Sequence, residues 1–266
     1  MGQGALMAVG AYVSGLLVLR MGISYPIAFL LAIMVTVLLS LCIGGVVLRL
    51  RQDYCALLTF GFGEAIRGIL NMSVQLTGGA TGLAGVPIKV NFRVVLLSLV
   101  AVITITYLFK QSKFGRRSLA IRDNELAADV LGVPTVLHKM LTFAIGAAFA
   151  SFAGCLYVFY TSYIEPSMFG WMKSAEWIIM VFFGGRGSIT GVVGSGLVLL
   201  SLPELLRFAD EYRTIIYCVF VILILSFRPH GIMGDKEFSI TGIIRWFRGI
   251  ITQSGKSDGK GCEPNV

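Results

Sequence analysis

The sequence predicts an all-α fold, a polytopic transmembrane helical bundle of about eight spans. Three observations predict it. Hydrophobic residues make up 56% of the chain and charged residues 14%, with a mean hydropathy of +0.83, which leaves too little polar surface to cover a soluble globule. Several apolar runs approach the roughly 20 residues that cross a bilayer, and they lack the alternation of barrel strands. The 32 glycines suit close helix contact in lipid, where small residues let backbones approach.

The expected spans follow in order. The first covers about residues 4–19 and stops at Arg20; the second runs from Pro26 to Val47. The third, about 54–74, is interrupted by Glu64 and Arg67. The fourth is 94–109, the fifth 140–160, the sixth a short 174–183, the seventh 189–206 and the eighth 212–227. Residues 1–10 carry no charge, so a cleavable signal with its basic start is not expected, and the chain is expected to begin within a membrane segment.

Most of the 22 Lys and Arg residues fall on one side of these spans: Arg49, Arg51, those from Lys110 to Lys139, Arg186 and those from Arg228 to Lys260. The other side holds Arg20, Lys89, Arg93, Lys173, Arg207 and Arg213. The richer side is expected to be cytoplasmic, with both termini on it. This asymmetry accounts for the net charge of +8 without a nucleic acid partner. Residues 1–234 read as one transmembrane domain. Residues 235–266 read as a cytoplasmic tail: Ile240, Ile243, Ile244, Phe247 and Ile251 share the apolar face of a basic helix suited to anionic lipid, and disorder is expected from Ser254.

The longest polar interruption before the tail, residues 115–134, is built like a short helix. Asp123 or Asn124 can cap its start, and Asp123 and Glu125 suit the positive end of its dipole. Leu126 and Val130 stand four apart on one face with Ala127 and Leu131 beside them, while Gly132 and Pro134 stop it. An apolar face stranded between two spans is expected to pack against another protein.

Other motifs admit two readings. Glu64 and Arg67, three apart, can form a structural ion pair or line a pathway. Glu176 has no obvious partner. The stretch from Thr77 to Pro87, which opens Thr77, Gly78, Gly79, Ala80, Thr81, Gly82, is either a flexible loop packed at a helix crossing or a set of exposed N–H groups that receives a carboxylate. Gly184, Gly185 and Gly187 read as a hinge, and Gly187 with Gly191 permits a close helix approach; a broken helix lining a cavity fits equally.

Catalysis is not expected. Ser254-Gly255-Lys256-Ser257 ends like a phosphate-binding loop but lacks the required glycine at position 250, which is Ile. No catalytic set, redox motif or metal-ligand spacing appears; Cys42, Cys55, Cys155 and Cys218 lie in apolar segments, Cys262 lies in the tail, and His138 and His230 form no metal set. No cofactor is expected.

Arg122-Asp123-Asn124-Glu125-Leu126-Ala127-Ala128-Asp129-Val130-Leu131-Gly132 resembles the cytoplasmic coupling loop of the permeases of branched-chain amino acid ABC importers, of the LivM type. Arg49-Leu50-Arg51-Gln52-Asp53-Tyr54, Gly61 to Arg67, Thr77 to Leu83, Gly184 to Ser188 and Phe227-Arg228-Pro229-His230-Gly231 resemble further family stretches in the same order. Family members usually carry additional helices before the segment that starts here, so the chain is expected to be truncated at its N-terminus.

The resemblance implies an ABC importer permease architecture in a bacterial-type cytoplasmic membrane. It implies partners: ABC ATPase subunits that bind the ATP, a second homologous permease, a periplasmic or lipid-anchored substrate-binding protein, and membrane lipid. Arg122, Asp123, Asn124, Glu125, Ala127, Ala128, Leu131 and Gly132 would form the ATPase-coupling helix. Glu64, Arg67, Thr77, Gly78, Gly79, Thr81 and Gly82 would belong to the substrate pathway, with Gly184, Gly185 and Gly187 as hinge. The alternatives are a urea or short-chain amide importer of the same architecture, and a membrane scaffold that recruits a regulator.

Overall fold

A computed structural model describes residues 2–50, 52–185 and 187–205, with Ile216, Cys218, Val219, Ile222, Gly231 and Gly234. The expected eighth span, the amphipathic tail, Arg186 and the Phe227–His230 stretch lie outside the described residues. The described chain divides into a unit through Ile178 and a unit from Ile179.

The first unit is built on three long apolar helices: α1 (Gln3–Met21), α2 (Tyr25–Val47) and α8 (Thr135–Thr161). Between α2 and α8 lie α3 (Gln52–Met72), the single turn α4 (Val74–Thr77), strand β1 (Leu83–Ala84), α5 (Phe92–Gln111), α6 (Lys113–Asp123) and α7 (Glu125–Val130). Strand β2 (Tyr163–Ile164) pairs antiparallel with β1, a 3-10 turn follows at Pro166–Phe169, and α9 (Trp171–Gly184) leads towards the second unit, which contains α10 (Ile189–Leu205). Among the described residues α1, α2, α5 and α8 are long and apolar enough to cross a membrane. The expected third, sixth and seventh spans are helical too; α9 has 14 residues, short of a full crossing, and α10 is described over 17 residues.

Small residues explain why α1 and α8 lie together. The helices run parallel: Gly10 meets Ser151, Gly154 meets Met7 and Ala11, and Gly15 meets Val158. A Cβ built on Gly154 would fall 2.1 Å from the Met7 carbonyl oxygen, so only glycine allows this backbone approach. Helix α2 runs antiparallel to α8, with Tyr25 against Phe159 and Phe29 against Phe152 in edge-on ring contacts. Buried hydroxyls in this seam are satisfied: Ser14 donates to the Gly10 carbonyl at 2.8 Å, and Thr36 Oγ1 donates to Ala32 O at 2.8 Å and to Ser151 Oγ at 3.0 Å. The apolar core continues through Tyr12, Val86, Val90, Phe159, Ile164 and Phe169.

Helix α5 buries none of its residues fully, and only Val95 packs against the core; an apolar helix left so open meets lipid or another protein over most of its surface.

Candidate functional site

The polar interruption folds as two helices meeting at Asn124. Ser112 caps α6, its Oγ accepting from Gly115 N at 3.1 Å, and Asn124 caps α7, its side-chain oxygen accepting from Ala127 N at 3.0 Å. Arg122 and Asp123 therefore end α6 and pair with each other at 2.9 Å, instead of opening one continuous 122–132 helix. The extended backbone at Asn124 makes the break, with φ −156° and ψ 105°. Gly132 supplies the expected stop with φ +78°, after which Pro134 precedes α8.

Helix α7 displays the apolar face that the spacing foretold. Leu126, Val130 and Leu131 are 81%, 88% and 81% exposed, while Ala128 is the buried residue of the turn. The helix is also tied to its own chain through polar groups. Glu125 Oε1 receives a hydrogen bond from Lys139 Nζ of α8 at 2.5 Å, and Ser118 of α6 meets Thr142 of α8 at 3.3 Å. A cleft of about 1080 Å³ opens between these helices and the α2–α3 connection, lined among others by Arg49, Arg122, Asp123, Asn124, Glu125 and Lys139. Ala127, Ala128, Leu131 and Gly132 do not line it.

The residues assigned to a substrate pathway separate into two places. Glu64 and Arg67 form an ion pair at 2.6 Å along α3. The Thr77–Gly82 stretch sits instead at the far end of α1, where the Arg20 guanidinium donates to the carbonyls of Gln75 and Leu76. This stretch packs closely against its own chain, at the ends of α1 and α3. Gly78 N donates to Val74 O, Gly79 N to Thr77 Oγ1 and Gly82 N to Gly79 O, so these amides are occupied within the turn. Thr77 Oγ1 donates in turn to Leu70 O at 2.6 Å and Ser73 O at 2.9 Å. Gly82, with φ +75°, packs so closely on β2 that a built Cβ would lie 2.3 Å from Ile164 O.

One residue was misjudged from sequence. Glu176 has a partner, Lys173, at 2.9 Å; the i,i+3 spacing that flagged Glu64 and Arg67 was available here too. In the second unit, a close backbone approach does occur at Gly191, from Gly184, whose built Cβ would meet the Gly191 backbone at 2.5 Å. Gly185 breaks the chain direction with φ +110°, Gly187 lies in the turn, and Ser195 Oγ of α10 donates to Met180 O at 2.6 Å.

Comparison with known proteins gives the family. Residues 1–225 match the family described as branched-chain amino acid transport system / permease component. The chain belongs to this family. It is 30% identical over 267 residues to the high-affinity branched-chain amino acid transport system permease protein LivM of Salmonella typhimurium, covering 88% of this chain and 63% of that protein. Against the LivM of Escherichia coli the identity is 31% over 271 residues, with the same shares. A shorter similarity, 32% over 145 residues, relates it to the permease protein LivH of Escherichia coli, covering 53% of this chain and 46% of that one. The chain thus spans less than two thirds of the length of the LivM proteins it matches. No solved structure matches. Family membership and the apolar helices make the chain a membrane permease component.

Proposed function

We propose that the chain is a transmembrane permease subunit of an ATP-driven importer for branched-chain, hydrophobic amino acids in a bacterial-type cytoplasmic membrane. The observation that carries this is the family match across residues 1–225, joined by relatives named as branched-chain amino acid permeases. None of the relatives named above is described as handling urea or an amide, or as a scaffold.

In this reading α7 lies on the cytoplasmic side and seats Leu126, Val130 and Leu131 in an apolar groove of an ABC ATPase, which binds and hydrolyses the ATP. A second, homologous permease completes the pathway, and a periplasmic or lipid-anchored binding protein delivers the amino acid. Closure of the ATPases pushes α7. The Glu125–Lys139 ion pair and the Ser118–Thr142 contact carry that push into α8, which is packed on α1 and α2, so the bundle rocks as a body between outward and inward access. The glycine break at Gly184–Gly187 supplies the hinge within the second unit.

The test is uptake of radiolabelled leucine into proteoliposomes holding this chain, its partner permease and its ATPases, with loaded binding protein supplied outside. ATP-dependent leucine accumulation is expected. Accumulation of urea or acetamide in its place would overturn the substrate class, and ATP-independent leakage of leucine would overturn the ATP-driven mechanism.

A further inference from the structure

Two ion pairs of the first unit stand at membrane depth and are only half sheltered. The register of the helices fixes their level. Gln3, at the start of α1, lies beside Gly146 of α8, about 10 Å beyond Lys139, the last charge on α8, and about 22 Å short of that helix's far end at 1.5 Å per residue. The first turn of α9 is at the same level, because Gly4 N donates to Ser174 Oγ at 3.2 Å. The middle of α3 is there too, with Gly63 against Gly2 and Ala5, and α3 then rises towards the Arg20 end of α1. The segment from Ser162 to Gly170 therefore descends from the end of α8 into the bundle as a two-residue strand and a single 3-10 turn, without α-helix. Tyr12 OH donates to Ile164 O on the way, and Phe169 O lies beside Gly4 at the bottom. Such backbone at membrane depth is tolerated where it is buried in protein or borders water.

Helix α9 starts where this descent ends, and charge gathers there. The Arg67 side chain lies against Gly170, and Phe60 of α3 meets Trp171 edge-on at 6.4 Å. Glu64 and Arg67 pair on the α3 side, Lys173 and Glu176 on the α9 side. The four side chains are 27%, 38%, 49% and 38% exposed in that order. A purely structural pair at this depth would be enclosed, since partly bare charges facing hydrocarbon are strongly disfavoured. Two opposed pairs left open on adjacent elements suit a solute that carries both signs itself.

We propose that Glu64, Arg67, Lys173 and Glu176 form a water-facing site in the translocation path that takes a zwitterionic α-amino acid. The substrate carboxylate exchanges with a glutamate for Arg67 or Lys173, and its ammonium takes the vacated glutamate, so charge stays paired throughout. This rests on the importer reading and adds to it the residues that handle the backbone of the amino acid, leaving the apolar side chain unread at this point.

The experiment uses the complete transporter in proteoliposomes, with assembly checked by co-purification of the partner subunits. The double variant E64Q/R67Q removes both charges and with them any cost of an unpaired one. If the pair were structural only, this variant would transport normally. The site predicts that leucine uptake falls by about tenfold or more, the loss expected when charged hydrogen bonds to a substrate are removed. A second arm places Lys173→Cys in a cysteine-free chain and treats it with a membrane-impermeant, charged methanethiosulfonate. Labelling that is slowed by transported leucine is expected. Normal uptake by E64Q/R67Q overturns the site while leaving the importer reading intact. A Cys at 173 that the reagent cannot reach shows that a partner subunit or lipid covers this face, and overturns it independently of any uptake.

Discussion

The α1–α8 contact makes a quantitative prediction at Gly154. A Cβ there would sit 2.1 Å from Met7 O, 3.0 Å from Met7 C and 3.1 Å from Ala11 N. Carbon and carbonyl oxygen rest at about 3.3 Å, so Gly154→Ala must part the two helices by about 1 Å. A gap of that size removes a quarter to a half of the dispersion energy at each affected contact. It also stretches the Cys155–Gly10 contact and the Tyr12–Ile164 hydrogen bond, the latter already long at 3.4 Å. Overpacking of this kind costs about 1–3 kcal/mol. The control is Gly61→Ala on α3, where nothing lies within 4 Å of the built Cβ. There the helix propensity of alanine should be neutral or add up to about 1 kcal/mol. Reversible denaturation in mixed detergent micelles, followed by tryptophan fluorescence, reads both. Gly154→Ala as stable as the parent chain, or shifted in the same direction as Gly61→Ala, would refute the close backbone packing.

Three further substitutions test local features. Asn124→Ala removes the cap of α7 and should cost about 1 kcal/mol of local stability, seen as faster amide exchange at Ala127 and Ala128, while Asn124→Asp should keep it. Glu125→Arg sets two cations together and should impair transport, and adding Lys139→Glu should restore it if the 2.5 Å tie to α8 is what matters; failure of the restoration would assign Glu125 to the docking surface instead. Thr36→Val deletes the α2–α8 hydrogen bond to Ser151, and the same denaturation assay should register a loss of about 0.6 kcal/mol, the average for interhelical bonds in membrane proteins.

The long apolar helices were legible because hydropathy marks them directly: α1, α2, α5 and α8 start and end within a few residues of the expected spans, the start of α8 excepted. Its first turn, with His138 and Lys139, extends beyond the apolar run, and polar helix ends carry no hydropathy signal. The cap at Asn124 and the stop at Gly132 were legible from local chemistry. Helix α6 was not legible from hydropathy, although Ser112 offered a cap, because Lys113, Arg116, Arg117, Arg122 and Asp123 make it polar. The Thr77–Gly82 turn was beyond reach, since its shape depends on the pairing of Leu83 with Ile164, far along the chain. Depth was equally hidden. Only the α1–α8 register places Arg67 and Lys173 at the level where α9 begins.

The most direct test of the account is co-purification from native membranes, comparing the intact chain with Leu126→Asp/Val130→Asp. Both side chains are over four-fifths exposed, so the substitutions should leave the fold within about 0.5 kcal/mol of its stability. The account predicts that an ABC ATPase accompanies the intact chain and is lost from the variant, while the second permease stays with both. An ATPase retained by the variant, or absent from both, would contradict the claim that α7 couples this permease to its motor.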